Sequence, residues 1–298
     1  MGAFFSNLPQ YLVNGIGSSC VYILMAMGFS LVYSSTGIIN FAQGEFAAIS
    51  ALVAYTLSMD LGLPLLLAVA GALALTGFVG LLLERAVIRP LQGKGTLTAI
   101  IATIGASIFL KAGARIIWPE EAYKVPEFTQ GQLNLPKASF NAQLLWMLGL
   151  TAFTVAAMYL LMNGTKLGKG LRACAINPEA ARLVGIDVSL MSMAAFAIAA
   201  LLGGLAGLVS APFANYGMGL YLGIKGFTAA VIGGLGDVYG AVLGGITVGL
   251  LEEVVAGFLS VVLGVSSGYK DAVAVILLIS VLLFRPQGLV GKGLVEKV

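Results

Sequence analysis

The sequence predicts an all-α fold, a polytopic transmembrane helical bundle with about eight or nine crossings, some of them short or broken. The first observation is composition, since the 298 residues are 59% hydrophobic and only 10% charged. Soluble proteins carry about 25% charged residues. The second is a mean hydropathy of +1.00. The third is that the apolar residues form long runs containing glycine and alanine, as in helices packed in lipid, and not the alternating strands of a β-barrel.

Nine apolar runs are the candidate crossings, in chain order. They occupy residues 10–34, 38–59, 64–88, 97–117, 142–162, 190–213, 226–235, 240–263 and 268–284. A spanning helix needs about 20 residues, so we expect the run 226–235 to be a thin or broken crossing. The runs and their short connections fill the chain, which predicts a single transmembrane domain over residues 1–298.

The positions of lysine and arginine predict the orientation, because short cytoplasmic loops collect these residues. Ten of the sixteen lie in three segments, 85–94, 163–189 and 285–297, which we assign to the cytoplasm. Segment 118–141 balances both signs of charge and is expected to be an ordered external loop. Counting crossings then places the N-terminus outside and the glycine-rich turn 233–237 on the cytoplasmic side.

The residue counts exclude several kinds of chemistry. The chain has no histidine, so imidazole proton relays and histidine-based metal sites are absent. Cys20 lies in an apolar run and Cys174 in a basic loop, which makes them a poor disulfide pair and too few for a metal cage. The net charge of +3 is small and scattered, which argues against nucleic-acid binding. We therefore predict no metal site on this chain.

Within the loop 163–189, one short segment carries the signals of a helix. Asn177 is a good N-cap, Pro178 suits the first helical position and Glu179 favours the positive end of the helix dipole. Gly185 suits the left-handed stop. These signals predict a cytoplasmic helix of about two turns. It is too short to bury a core of its own, so we expect it to pack against a partner; the alternative is a solvated surface helix.

Polar residues at membrane depth are costly and suggest function. Asn40, Gln43 and Glu45 fall where the second apolar run begins, and they either line a translocation path or brace a helix junction. Glu252 and Glu253 lie in the eighth run, where pairing with Lys225 or Lys270 is the simpler interpretation.

Glycines spaced four residues apart favour close contact between helices. Such pairs occur in the eighth run, at residues 236–249, and a similar cluster occurs at residues 203–207. Ordinary tight packing is the first interpretation. The alternative is a set of glycine seams that slide or rock during transport.

Several motifs together resemble a known family. Glu179-Ala180-Ala181 with Gly185 after three further residues is similar to the coupling loop of bacterial ABC importer permeases. The longer segments 37–45, 104–110, 170–175 and 225–234 are similar to the permeases of branched-chain amino acid importers, LivH type. The likeness covers essentially the whole chain. It departs at Gln43, where these permeases usually carry histidine, and at 237–239, which replaces a more usual serine-containing turn.

This resemblance implies a permease subunit of the bacterial inner membrane, in an ATP-driven importer for branched-chain amino acids. A second permease (LivM type), two cytoplasmic ATPase subunits and a periplasmic substrate-binding protein would complete it, in contact with membrane lipid. ATP and Mg would be cofactors of the ATPase subunits alone. The residues implied in ATPase coupling are Asn177, Pro178, Glu179, Ala180, Ala181, Arg182 and Gly185. No segment matches the Walker A pattern, since Gly168-Lys169 is followed by glycine, so the chain itself is expected not to be an enzyme.

Two other classes remain open. An ion-coupled secondary transporter of small amino acids or amides would use broken glycine-rich segments and membrane acids such as Glu45 or Glu252. A membrane enzyme ranks last, because no nucleophile, metal set or clustered acid pair is apparent. No residue set specifies the substrate: leucine, isoleucine and valine come first, with other hydrophobic amino acids, small amides or urea as alternatives.

Overall fold

The computed structural model describes residues 2–91, 94–119, 122–124, 128–129, 131–135, 138–210, 213–264, 270–285 and 287–290. The helices in these ranges are α1 (Gly2–Thr36), α2 (Gln43–Tyr55), α3 (Leu65–Leu83), α4 (Thr96–Ile117), α5 (Gln143–Gly164), α6 (Lys166–Ile176), α7 (Pro178–Leu183), α8 (Val188–Ser210), α9 (Met218–Gly233), α10 (Val238–Leu263) and α11 (Lys270–Phe284). The strands are β1 (Tyr123–Lys124), β2 (Gln132–Leu135), β3 (Ala138–Asn141) and β4 (Phe213–Ala214). The prediction of an all-α bundle is confirmed.

Each of the nine predicted apolar runs contains a helix. Of the helices in the described ranges, six are long and apolar enough to cross a membrane: α1, α3, α4, α5, α8 and α10. The other three, α2, α9 and α11, are the short ones. The run predicted at 226–235 is wrong at its start, because α9 begins at Met218. In the sequence this segment resembles a loop because it contains glycine at 217, 219 and 223. The leucine, tyrosine and isoleucine residues beside these glycines nevertheless continue the helix.

The two ends of the bundle group together segments that the sequence analysis assigned to the same side. At one end, Asn163 Nδ2 donates to the Tyr239 hydroxyl over 2.7 Å, and the Leu289 N–H donates to the Ile232 carbonyl over 2.7 Å. The loop 163–189, the turn 233–237 and residues 287–290 therefore lie together. At the other end, the Gln10 side chain donates to the Ser139 carbonyl over 2.9 Å. The start of α1 thus lies beside segment 118–141, as predicted.

The core of the bundle is α1, whose residues from Cys20 to Val32 are almost all buried. The longest contact of α1 is with α10, and glycine makes it possible. A Cβ atom at Gly245 would lie 2.6 Å from the Ile23 backbone nitrogen, and one at Gly249 would lie 2.5 Å from that of Ser19. The backbones of α1 and α10 are thus in direct contact, which confirms tight glycine packing at this crossing.

The α1 helix ends at Thr36, beside a cavity that its last residues line. Gly37 adopts a left-handed conformation, with φ of +71°, and its N–H donates to the Tyr33 carbonyl. Residues 38–42 then lead into α2, which packs between α8 and α9. A Cβ at Gly44 would collide with the Gly219 carbonyl of α9, and one at Gly207 with the Ala47 carbonyl of α2. The start of α2 is therefore enclosed by the neighbouring helices.

Some elements lie outside what the sequence predicted. The amphipathic helix α6, the antiparallel pairs β2–β3 and β1–β4, and two π-helical segments, Thr56–Asp60 and Glu84–Ile88, were not predicted. The strands lie in and beside the predicted external loop. Several charged residues used in the orientation argument lie outside the described residues: Glu120, Glu121, Glu127, Lys137, Lys292 and Lys297.

Candidate functional site

The short helix predicted after Asn177 is present as α7, Pro178–Leu183. The Asn177 side-chain oxygen accepts from the backbone N–H groups of Glu179 and Ala180, over 2.9 and 3.0 Å. Pro178 occupies the first turn, where its missing N–H costs nothing. Gly185 follows with φ of +84°, a conformation that a residue with a Cβ atom adopts only with strain. The cap, the first turn and the stop all agree with the sequence prediction.

The C-terminal end of α7 presents apolar side chains on the outside of the protein. Leu183 is 89% exposed and Val184 is 76% exposed, while Ala181 is buried against the protein. Glu179 and Arg182 are also exposed. A surface leucine alone needs no explanation, but two adjacent exposed apolar side chains at the end of a capped helix form a small contact surface.

Behind α7 lies a cavity of about 760 Å³. It reaches from Pro178 and Arg182 to the end of α1 at Tyr33 and to Gly236 in the turn before α10. Cys174 of α6 also lines it, and burial raises the pKa of this thiol, although Arg182 lowers it. Both Cys174 and Cys20 are free and buried, in agreement with two inert thiols.

Asn40 and Gln43 lie at the junction between α1 and α2, almost fully buried. The Asn40 Oδ1 atom accepts from the Ala42 N–H over 3.1 Å, so Asn40 supports the first turn of α2. The Gln43 Nε2 atom donates to the Ala199 carbonyl of α8 over 2.8 Å. A Cβ at Gly28 or at Gly203 would press against Gln43, so the glutamine side chain fills the space that these glycines leave at the crossing of α1, α2 and α8.

Glu45 connects α2 to α4 and α9. Its Oε1 atom accepts from the Ser107 hydroxyl over 3.0 Å. Its Oε2 atom lies beside the start of α9, where a Cβ at Gly219 would be 2.6 Å away. A carboxylate at a helix N-terminus interacts favourably with the helix dipole. Glu45, Gln43 and Asn40 therefore form one buried junction, in which Asn40 Nδ2 and Gln43 Oε1 have no hydrogen-bond partner among the described residues.

A second buried cluster joins α1, α9, α10 and α11 through charge. Lys225 Nζ lies 2.8 Å from Glu252 Oε1 and 2.7 Å from Asp271 Oδ1. Lys270 pairs with Glu253. The predicted pairing of the two glutamates with Lys225 and Lys270 is thus confirmed. The sequence analysis missed Tyr22, whose hydroxyl donates to Glu252 Oε2 over 2.8 Å, because its partner is 230 positions away in the chain.

Glu84 is a buried acid that the sequence analysis did not single out. It opens the π-helical segment at the end of α3, with 0% of its surface exposed. Its carboxylate lies close to the Ser192 hydroxyl of α8, although the distance and angles between them fall outside the usual hydrogen-bond limits. Its position at the end of an apolar run, directly before Arg85, was the available signal. Within the same residues, no three His, Cys, Asp or Glu side chains are grouped as a metal site requires.

Comparison with known proteins adds the family. The chain matches the family described as "Branched-chain amino acid transport system / permease component" over residues 11–282. It is 36% identical over 305 residues to the high-affinity branched-chain amino acid transport system permease protein BraD of Pseudomonas aeruginosa, covering 97% of each chain. It is 32% identical over 316 residues to the corresponding protein LivH of Escherichia coli K12, covering 100% of each. At 29% identity, the ribose import permease protein RbsC of Escherichia coli K12 is more distant, with 91% of this chain and 84% of RbsC covered.

Among solved structures, a chain of PsaBC from Streptococcus pneumoniae, in complex with Fab, has the same fold. The TM-score is 0.52 and 96% of each chain is covered, at 14% identity.

The helices, their short polar junctions and these similarities define a multi-pass permease of the inner (cytoplasmic) membrane, a transport component of an ABC transporter. The chain belongs to the branched-chain amino acid transport permease family.

The charge cluster around Lys225 gives a prediction for stability. Lys225→Met removes the closest partner of Glu252, whose remaining cation, Lys270 Nζ, is 3.8 Å away. Breaking a buried ion pair from one side costs about 3–5 kcal/mol, because a charge is left uncompensated. We expect this loss in thermal unfolding of the detergent-purified chain, and a partial recovery in Lys225→Met/Glu252→Gln. Lys94→Met, at an exposed lysine, is the control. Equal unfolding of Lys225→Met and this control would contradict the assignment.

Proposed function

We propose that this chain is the permease subunit of an ATP-driven importer for branched-chain, hydrophobic amino acids. It forms the translocation path together with a second permease subunit of the LivM type. Two cytoplasmic ATPase subunits, which bind ATP and Mg, drive the cycle, and a periplasmic substrate-binding protein delivers the amino acid. The observation that carries this proposal is the full-length similarity to BraD and LivH, both of which are branched-chain amino acid permeases by name.

The α7 helix is the proposed contact with an ATPase subunit. Its ends are fixed by the Asn177 cap and by Gly185, and its apolar end, Leu183 and Val184, is exposed. Burial of exposed apolar area is what makes protein contacts favourable. We assign coupling to the segment Asn177 to Arg182 with Gly185, whose sequence resembles the family's coupling loop.

The energy for transport is proposed to come from the partner subunits. The nearest approach to a phosphate-binding sequence, Gly168-Lys169-Gly170, lies within α6, which begins at Lys166. A phosphate-binding loop requires free backbone N–H groups at a helix start. Here the Gly168 N–H donates to the Thr165 hydroxyl over 3.0 Å and the Lys169 N–H to the Thr165 carbonyl over 3.1 Å, so both are engaged. This location supports a subunit without ATPase activity of its own.

An ion-coupled secondary transporter is not favoured. The family is one of ABC permeases. Two of the acids that a proton-coupled mechanism would use, Glu252 and Glu253, are bound to Lys225 and Lys270. The third, Glu45, is buried at the α2 junction.

The function is tested by uptake in reconstituted vesicles. The chain, co-purified with its partner subunits, is expected to import radiolabelled leucine only with internal ATP and with the binding protein outside. Ionophores that collapse the ion gradients should leave the rate unchanged. Ribose and urea serve as competing substrates, and branched-chain amino acids should compete best. Uptake that needs no ATP and is abolished by the ionophores would contradict the proposal.

For Asn40, Gln43 and Glu45 we propose that they brace the wall of the translocation path at the α1–α2 junction. Their burial and their bonds to α2, α4 and α8 support bracing over direct contact with substrate. Gln43→Leu should lower the free energy of unfolding by about 0.5–1.5 kcal/mol, the usual net value of one hydrogen bond. The KM for leucine should stay the same. A changed KM at unchanged stability would indicate path lining instead. The control is Gln132→Leu, at an exposed glutamine of β2.

The coupling assignment predicts different effects of the same change at two glycines. Gly185 and Gly62 both have a positive φ, +84° and +66°, and a Cβ at either meets open space. An alanine at each costs about 1–2 kcal/mol of backbone strain. Only Gly185 follows α7, so Gly185→Ala should raise the ATP hydrolysed per leucine imported by about 5- to 30-fold, and Gly62→Ala should leave that ratio unchanged. An equal ratio in the two variants would remove α7 from the coupling route.

A further inference from the structure

A long apolar groove separates α5 from the packed pair of α1 and α10. Its volume is about 830 Å³, within the usual range of ligand clefts of about 300–1,000 Å³. On the α5 side it is lined by small residues, Ala152 and Ala156, and on the other sides by Ile23 of α1 and Val242 and Ile246 of α10. The backbones of α1 and α10 are in direct contact at Gly245 and Gly249, so these two helices cannot move to fill the groove. We call this feature the α5 groove.

The end of the α5 groove near the basic loops carries polar groups. Tyr159 of α5 and Tyr239 of α10 line it there, with ring centroids 5.8 Å apart. The Tyr239 hydroxyl accepts a hydrogen bond from Asn163 over 2.7 Å, which leaves its own proton to donate. Arg172 Nη1 donates to Asn163 Oδ1 over 3.1 Å. The acid beside Tyr239, Asp237, is engaged as the N-cap of α10.

The helix α6 brings a positive surface to the same end. Its buried side carries Gly168, Leu171 and Cys174, and its exposed residues include Lys166, Lys169 and Arg172. Amphipathic helices of this kind lie in the membrane interface, with the basic side toward lipid headgroups. Each such cation near an anionic membrane surface contributes favourably to lipid binding. The groove is therefore apolar along its length and has the cationic residues of α6 at one end.

We propose that the α5 groove binds an acyl chain of one anionic phospholipid from the cytoplasmic leaflet, with the headgroup phosphate accepting hydrogen bonds from Arg172 and Tyr239. The distribution of apolar and charged groups matches the two parts of such a lipid. A transmembrane helix of a second subunit does not fit as well. The Asn163–Tyr239 hydrogen bond ties α5 to α10 at the mouth, and a helix with its side chains is about 10–12 Å wide.

The test compares two lipids with the same acyl chains. The full-length chain, purified with the subunits that accompany it, is exchanged into vesicles of phosphatidylglycerol and phosphatidylethanolamine in equal amounts. Retained lipid is then counted by native mass spectrometry. We expect one phosphatidylglycerol per copy of this chain, retained in preference to phosphatidylethanolamine. Arg172→Gln should reduce that preference by about fivefold, the effect of one interfacial cation. No preference in the wild-type chain would overturn the proposal, whatever the variants do.

A pair of matched variants tests the groove itself. Ala156→Phe fills the groove and should lower lipid retention by about tenfold, the contribution of two buried methylene groups. Ala112→Phe makes the same change at an exposed position of α4 away from the groove, and should retain lipid as the wild type does. Equal retention in the two variants would contradict binding in the groove.

The position of the bound molecule is read by crosslinking. A photoreactive side chain placed at position 160, where the large and exposed Leu160 already lines the groove, should form an adduct with phospholipid. An adduct with the second permease subunit instead would show that a protein helix occupies the groove, and would overturn the proposal. This outcome is distinct from failure of the transport function, which the uptake experiment measures.

Discussion

Close backbone contact at glycine is the constraint on which the rest of the bundle depends. Helices in lipid gain little from burying apolar side chains against one another, because lipid is equally apolar, so they associate through packing at short distance. In this chain α1 meets α10 at Gly245 and Gly249, and α2 meets α8 at Gly207. At each crossing a Cβ atom would press against backbone, which cannot move aside as a flexible side chain can. The inner helices α1, α2, α8, α9 and α10 are therefore held in one register, while α4 and α5 are the most exposed of the long helices in the described ranges.

The short helices create a second requirement, and polar residues meet it. A helix that begins inside the bundle leaves its first N–H groups without partners in a medium that contains little water. Asn40 accepts from the N–H just before α2, Glu45 lies beside the first turn of α9, and Asp271 lies in the first turn of α11. Each short helix thus has an amide or a carboxylate near its start. Asn40, Gln43 and Glu45 are thus buried where α2 begins, and Lys225 pairs with the aspartate at the start of α11.

Much of this arrangement could be predicted from residues close together in the sequence, and little of it from residues far apart. The cap, first turn and stop of α7 are adjacent in the chain, so Asn177, Pro178 and Gly185 were sufficient to predict it. The nine apolar runs could also be predicted, because each consists of residues adjacent in the sequence. The start of α9 was predicted wrongly, because glycine reads as a loop residue when the helix surface that packs against Gly44 is unknown. Tyr22 joins the Lys225 cluster only through the crossing of α1 with α10, and nothing near Tyr22 in sequence indicates that. The roles of Asn40, Gln43 and Glu45 stay predictions, because the same buried positions suit residues that line a translocation path and residues that brace a helix junction.

The connection from α7 to the membrane follows from chain order. The α7 helix ends at Leu183 and α8 begins at Val188, with only the Gly185 turn between them, so a displacement of α7 is passed directly to α8. The α8 helix carries the Ala199 carbonyl that Gln43 binds, and its Gly203 borders the same glutamine. The α1–α2 junction is thus bound directly to α8. Because the glycine crossing allows no slack, α8 cannot shift along its axis without either breaking the Gln43 hydrogen bond or carrying α2 with it. Under the coupling role that we propose for α7, a contact at this surface helix and a rearrangement at the α1–α2 junction would be one mechanical event.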